Sequence, residues 1–106
     1  MSIPIKHFKE EQLGETMEFV EIGEILEGKH IGKEVKIHGW IYRERKQKSM
    51  IFVLVRDSSG VIQVAISPES KAWKAAERVT IESSVELSGK ISEDKRAPGG
   101  YEIRAI

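Results

Sequence analysis

Phe52 and Gln63 are two side chains of this sequence that together could bind a flat heterocyclic group. They lie in MIFVLVRDSSGVIQVAI, residues 50–66, which reads as two short apolar runs around a tight turn. An aromatic ring can stack on a base, and a glutamine amide carries both donors and an acceptor to match a base edge. Whether the two side chains act together depends on the face of the hairpin that each one occupies.

The turn RDSSGV sets the pairing of the two strands. A four-residue loop places Arg56 opposite Val61, and counting back from there places Leu54 opposite Gln63. Because successive side chains alternate between the two faces of a strand, Phe52 lies on the same face as Gln63. The other face carries six β-branched aliphatic side chains, which we predict to form the core: Ile51, Val53, Val55, Ile62, Val64 and Ile66.

The outward position of Phe52 has a structural and a functional interpretation. The ring could pack beneath a helix or the N-terminal arm, or it could serve as a platform for a base. The segment YRERKQK, which we predict to join strands one and two beside this face, supplies four cations: Arg43, Arg45, Lys46 and Lys48. It is either an ordinary solvated loop or a clamp for phosphates and bases, because arginine both stacks and forms forked hydrogen bonds.

The hydrophobic pattern along the chain predicts a strand, strand, strand, helix, strand, strand order with a helical lead-in. The predicted elements are a lead-in over 20–32 that ends near Gly28, strands over 33–46, 50–56 and 61–66, a helix over 68–79 with Pro68 in its first turn, and strands over 83–94 and 101–106. Gly39 in the first strand predicts a bulge or a sharp bend. The order is that of an OB-fold, an all-β five-stranded antiparallel barrel with a short helix between strands 3 and 4. Another small β-barrel or an α+β domain is the alternative.

Composition excludes several classes of protein. With 106 residues, 40% apolar and 32% charged, the chain suits one small soluble domain. The absence of cysteine excludes disulfides and thiolate sites, and the spacing of the three histidines matches no zinc pattern, so we predict no metal. No apolar stretch approaches the ~18 residues of a membrane span, and the start is too charged for a secretory signal, so we expect a cytoplasmic protein.

The net charge of zero hides an asymmetry between the two parts of the chain. Four lysines and eight glutamates give residues 1–34 a charge of −4, and the remaining thirteen basic and nine acidic residues give a charge of +4. A mildly basic body permits contact with nucleic acid without requiring it. Residues 1–18 show no clear period, so we predict an arm over 1–18 and a single domain over 19–106.

The stretch VKIHGWIYRERKQKSMIFVLVRDSSGVIQVAI resembles the anticodon-binding OB-fold domain of class IIb aminoacyl-tRNA synthetases. The shared pattern is a GW strand, an Arg-containing loop, F…RD…G…Q and a later strand with V…G, and it runs from about residue 20 to residue 106. Within the class, ESSVELSGKI followed by KRAPGGYEI is most similar to asparaginyl enzymes of archaeal or eukaryotic type. Aspartyl and lysyl enzymes are the alternatives.

The resemblance implies a role for particular side chains. Phe52 takes the place of a ring that stacks on the central anticodon base, a uridine, and Gln63 takes the place of the residue that reads the edge of that uridine. Arg45 matches an arginine that contacts the anticodon from the first loop, and Glu102 approaches an outer anticodon base. The predicted tRNA-binding residues, including two further charge contacts, are Phe52, Gln63, Arg43, Arg45, Lys48 and Glu102.

The central uridine is common to the asparagine, aspartate and lysine tRNAs, so Phe52 and Gln63 do not choose among them. We expect that choice to depend on the loops over 44–50 and 92–102. No catalytic residues or phosphate-binding loop stand out, so we predict that this chain binds the tRNA anticodon loop as a monomer and is not an enzyme by itself.

The last predicted strand runs to the end of the sequence, which suggests a domain cut from a longer protein. ATP and Mg²⁺ are expected only for the catalytic domain of that parent, a homodimeric aminoacyl-tRNA ligase. A free-standing OB-fold that binds single-stranded nucleic acid, or one that binds another protein, is the alternative from a different class.

Overall fold

The computed structural model describes residues 19–106, in which five strands close into a barrel. The elements are α1 (Ile22–Leu26), β1 (Glu34–Lys46), β2 (Ile51–Arg56), β3 (Val61–Ile66), α2 (Trp73–Ala76), β4 (Ser84–Glu93), a 3₁₀ turn (Pro98–Gly100) and β5 (Tyr101–Ala105). Around the barrel the strands follow the order β1-β2-β3-β5-β4. The OB-fold prediction is confirmed, including the helix between β3 and β4. The predicted arm over 1–18 lies outside the described residues.

One strand pairing differs from the predicted antiparallel arrangement. β3 and β5 run parallel, with Gln63 opposite Glu102, whereas the other four pairings in the ring are antiparallel. The reason is geometric, because a closed ring with an odd number of strands cannot reverse direction at every step. One neighbouring pair must therefore be parallel, and here that pair joins two of the predicted site residues.

The β2–β3 hairpin has the predicted register. Arg56 pairs with Val61 and Leu54 pairs with Gln63. All six aliphatic residues that we assigned to the core are at most 1% exposed, and burying each contributes roughly 1.5–3 kcal/mol before conformational entropy is subtracted. Phe52 lies on the opposite, outer face, where its side chain is half-buried.

β1 contains a bulge, and this bulge determines which way its arginines point. The register with β2 shifts between Ile41 and Arg43, which leaves Tyr42 as the extra residue. Ile41 is buried in the barrel, so uninterrupted alternation would turn Arg43 and Arg45 toward the interior as well. The extra residue shifts the in–out alternation of side chains by one position, so both arginines lie on the outer face with Phe52.

β1 has no bulge at Gly39, because its register with β4 is regular through that position; the sharp bend, the other predicted possibility, stays a prediction. A Cβ atom on Gly39 would overlap the carbonyl oxygen of Arg56 on the neighbouring strand. Glycine is needed here for the close approach of the β2 backbone, not for a change of register.

The helix predicted over 68–79 is shorter than expected, since α2 contains only Trp73–Ala76. Before it, the backbone N–H of Ser70 bonds to the carbonyl of Ser67, and the Ser70 hydroxyl accepts the N–H of Ala72 at 3.0 Å. These hydrogen bonds form turns, so Pro68 lies ahead of the helix and not in its first turn. A serine hydroxyl can accept a backbone N–H that would otherwise bond within a helix. Ala76 of α2 is buried against the core.

The turn between β2 and β3 caps the first helix. Asp57 Oδ2 accepts the backbone N–H of Ile22 at 2.9 Å, and Ser59 Oγ accepts the N–H of Gly23 at 2.8 Å. Burial raises the pKa of Asp57, but its hydrogen bonds from the backbone N–H of Ile22 and from Ser59 outweigh burial, and the pKa is lowered overall. The helix ends as predicted near Gly28, which has a φ of +92°.

Asp57→Ala should lower the free energy of unfolding by about 0.5–2 kcal/mol at neutral pH, because the first N–H group of α1 loses its acceptor. Since the folded-state pKa lies below 3.8, this stabilisation is complete above the unfolded pKa and is lost as pH falls through the folded value. Urea unfolding of the wild type and the variant at about pH 7 and about pH 2 measures both effects. The neighbouring, exposed Ser58→Ala is the control, and a difference between wild type and D57A that persists unchanged at low pH would contradict this account.

Candidate nucleic-acid interface

The outer surface of β1, β2 and β3, which we call the Phe52 face, carries most of the predicted binding residues. We define it by its outward side chains: Arg43, Arg45, Phe52, Leu54, Arg56 and Gln63. Phe52 separates two open cavities on this face. One, of about 170 Å³, is lined by residues that include Arg43, Arg45 and Gln63. The other, of about 370 Å³, extends toward β5 and includes Glu102.

Arg45 lies against the ring of Phe52. The two residues are paired across β1 and β2, and the guanidinium carbon is 4.8 Å from the ring centroid. A cation–π contact at such an exposed site contributes about 0.5–1 kcal/mol. The guanidinium therefore covers one side of the ring, and ring and planar cation are both groups that stack on bases.

Gln63 is held by Glu102 through the parallel pairing of β3 with β5. Gln63 Nε2 donates to Glu102 Oε2 at 2.6 Å, and Glu102 is only 5% exposed. Because an ionised carboxylate only accepts hydrogen bonds, this contact determines which end of the amide faces Glu102. The oxygen of the Gln63 amide and its second N–H then remain to bind another group.

Three of the four predicted cations are strand residues and not loop residues. β1 extends to Lys46, so Arg43 and Arg45 lie within the strand, and the connection to β2 is a tight turn closed by a 2.9 Å hydrogen bond from Gln47 N–H to the Met50 carbonyl. The strand backbone thus positions both arginines more rigidly than a loop would.

Lys46 and Lys48 differ in what they contact. Lys46 Nζ donates to the carbonyls of Glu77 and Val79 at 2.8 and 2.9 Å, which ties β1 to the end of α2. Lys48 is exposed in the turn and, within residues 19–106, forms no ion pair. Of these two lysines, Lys48 is the one available to a phosphate.

The larger cavity is lined by two further arginines: Arg96, in the 92–102 loop expected to choose among tRNAs, and Arg104, which sequence reasoning missed. Arg96 and Arg104 border it, and their side chains are 92% and 67% exposed. The backbone N–H of Arg96 bonds to Asp94 at 2.9 Å and lowers the pKa of that carboxyl below its usual range. Arg104 Nε lies 3.6 Å from Glu102 Oε1. The i, i+2 spacing of Glu102 and Arg104 in the last strand was the signal available in the sequence.

The described part of the chain shows neither a metal centre nor a membrane span. Residues 19–106 contain no group of three or more His, Asp or Glu side chains that could hold a metal ion. None of the helices in this range is long and apolar enough to cross a bilayer.

Comparison with known proteins identifies the family. Residues 35–105 match the family model for tRNA anticodon domains, described as an OB-fold nucleic acid binding domain. The chain belongs to this tRNA anticodon family of OB-fold domains. The match contains β1 through β5, and with them the whole Phe52 face.

The relatives of this anticodon-family domain include asparagine–tRNA ligases. It is 45% identical over 76 residues to the enzyme of Thermococcus gammatolerans, and the alignment covers 70% of this chain and 18% of that protein. It is 43% identical over 76 residues to the cytoplasmic enzyme of Saccharomyces cerevisiae, with 69% of this chain and 14% of that protein covered. The predicted resemblance is confirmed, and the chain spans less than a fifth of these two relatives.

A solved structure has the same fold. Asparaginyl-tRNA synthetase from Pyrococcus horikoshii, complexed with asparaginyl-adenylate, superposes with a TM-score of 0.66 at 33% sequence identity. The superposition covers 72% of this domain and 18% of that chain. The barrel described here therefore corresponds to a small part of a larger synthetase.

Proposed function

We propose that this domain recognises the anticodon loop of a tRNA, with the central uridine stacked on Phe52 and read by Gln63. The observation that carries the proposal is the arrangement of Phe52, Arg45 and Gln63 on one open face, with the Gln63 amide held by Glu102. Ring and planar cation supply stacking without base preference, and the oriented amide supplies the preference.

The orientation of the Gln63 amide suits uridine. The edge of uridine presents the O4 acceptor beside the N3–H donor, whereas cytidine presents an N4–H donor beside the N3 acceptor. With one N–H directed to Glu102, Gln63 offers its second N–H to O4 and its oxygen to N3–H. For cytidine in the same pose the amide would have to turn over, which would place its oxygen against the Glu102 carboxylate.

Arg43 and Arg45 add positive charge to the Phe52 face, and Lys48 adds it in the neighbouring β1–β2 turn, so binding should depend on salt. If two or three phosphates are contacted, the slope of log affinity against log salt concentration should be about −1.5 to −2, from ~0.7 per contact for a single strand. Fluorescence titration of an anticodon stem-loop at several salt concentrations measures this slope. K48Q should lower its magnitude, whereas K74Q, which changes an exposed lysine on α2, should not. Affinity that is independent of salt would contradict phosphate contacts.

We further propose that the parent protein is a cytoplasmic, homodimeric asparagine–tRNA ligase, with the aspartyl and lysyl enzymes as alternatives. The identity to asparagine–tRNA ligases supports the first choice. In that parent, ATP and Mg²⁺ belong to the catalytic domain, and this domain alone binds tRNA as a monomer without aminoacylating it. NMR titrations with stem-loops that carry asparagine, aspartate and lysine anticodons test the choice, and the asparagine stem-loop should bind most tightly.

A further inference from the structure

Tyr42, the bulge residue of β1, lies at the end of the Phe52 face farthest from the turn that joins β1 and β2. Its ring is 38% exposed and belongs to no described core cluster. The guanidinium carbons of Arg43 and Arg56 lie 4.7 and 5.9 Å from its ring centroid. An exposed ring flanked by two cations is the combination that single-stranded nucleic-acid sites use for stacking and phosphate contact.

The ion pair of Arg56 leaves it able to contact a further anion. Arg56 Nη2 is 3.4 Å from Glu82 Oε1, with the two side chains 45% and 62% exposed. Exposed pairs of this kind contribute little to stability, so exchanging Glu82 for a phosphate has little energetic cost. Bulges such as the one that exposes Tyr42 are common in strands beside functional sites, where they redirect a side chain.

We propose that Tyr42 and Arg56 form a second RNA contact, which takes a nucleotide and phosphate outside the anticodon triplet. This extension rests on the proposed function, since it uses the position of the central base on Phe52. Tyr42 lies beside Leu54 and Val55 on β2, two to three residues from Phe52, and Arg56 is four residues from Phe52, so the two groups lie about 7–13 Å away along the strand. At ~3.4 Å per stacked nucleotide these distances span about two to four nucleotides, whereas the neighbours of the central base lie one step away.

The contact has no means of choosing a base. Arg56 and Arg43 face the phosphate backbone as charges, and the Tyr42 ring stacks on any base. The RNA would then be bound at two points on one continuous surface. The site at Phe52 would select a base, and the contact at Tyr42 and Arg56 would not. The source of affinity and the source of base preference are then separable by mutation.

R56Q and Y42L test the proposal in the 106-residue chain. Each should weaken binding of an anticodon stem-loop about fivefold to tenfold, equally for stem-loops with central uridine or cytidine, and R56Q should lower the magnitude of the salt slope by about 0.7. Y42F, which keeps the ring, should bind nearly as well as the wild type. The controls are E82Q, which removes the partner of Arg56, and R78Q, an exposed arginine outside the Phe52 face; neither should weaken binding.

The outcomes separate this contact from the anticodon site. Wild-type affinity in both R56Q and Y42L, with unfolding midpoints showing that the variants are folded, would overturn the second contact. If F52A still weakened binding in the same experiment, the proposed anticodon recognition would stand without it. If the wild type bound no stem-loop at all, both proposals would be contradicted.

Discussion

Replacing Phe52 with alanine should weaken binding of an anticodon stem-loop by about 1–3 kcal/mol, or about 5- to 150-fold. The loss is expected because the variant removes the proposed stacking surface for the central base and also the ring on which Arg45 rests. Folding should be retained, since Phe52 lies outside the buried core cluster. Titration of wild type and F52A with the same stem-loop, together with their urea unfolding curves, gives both quantities.

Phe19 provides a matched control for the Phe52 variant. Its ring is 44% exposed and lies against His38, with centroids 4.6 Å apart, outside the Phe52 face. F19A should therefore leave stem-loop affinity close to that of the wild type. Equal affinity of F52A and wild type, with both proteins folded, would show that the ring is not a stacking platform.

Gln63→Ala should remove most of the preference for a central uridine. A well-placed pair of hydrogen bonds to a base edge discriminates by about 1–3 kcal/mol, and the amide of Gln63 is the group positioned to form both. Q63A should bind uridine-centred stem-loops less tightly and cytidine-centred stem-loops nearly as before. The ratio of the two affinities, measured for wild type and variant, reports the contribution of Gln63 directly.

Glu102→Gln tests whether the Gln63 amide must be held in one orientation for the domain to prefer uridine. The substituted amide can donate as well as accept, so Gln63 is free to turn over, and the preference for uridine should fall while stacking on Phe52 is kept. E86Q, on the exposed side of β4, is the control and should keep the wild-type ratio of affinities for uridine and cytidine stem-loops.

If Q63A discriminated against cytidine as strongly as the wild type does, Gln63 would not be the residue that reads the base.

The position of Phe52 was predictable because two local rules agree. The turn after Arg56 sets the register of the β2–β3 hairpin, and the six aliphatic residues on one face leave the ring on the other. Neither rule requires knowledge of distant parts of the chain. The OB-fold assignment is likewise supported by the order of elements.

Other features depend on contacts between residues that are far apart in sequence. The hydrogen bond of Gln63 to Glu102 joins residues 39 positions apart and needs the parallel β3–β5 pairing required by ring closure. The bulge at Tyr42 reverses the direction of Arg43 and Arg45, and nothing in the local alternation signals it. The absence of a bulge at Gly39 was not predictable, because glycine in a strand indicates either a bulge or a close backbone approach, and only the neighbouring strand decides which.

The central claim is that Phe52 and Gln63 bind one uridine of an anticodon loop. An NMR titration of the ¹⁵N-labelled chain, with two stem-loops that differ only in uridine or cytidine at the central anticodon position, tests it most directly. The uridine stem-loop should bind about 5- to 150-fold more tightly, with the largest shifts at Phe52, Arg45 and the side-chain amide of Gln63. Equal affinity for the two stem-loops, or shifts confined to residues away from the Phe52 face, would contradict the account.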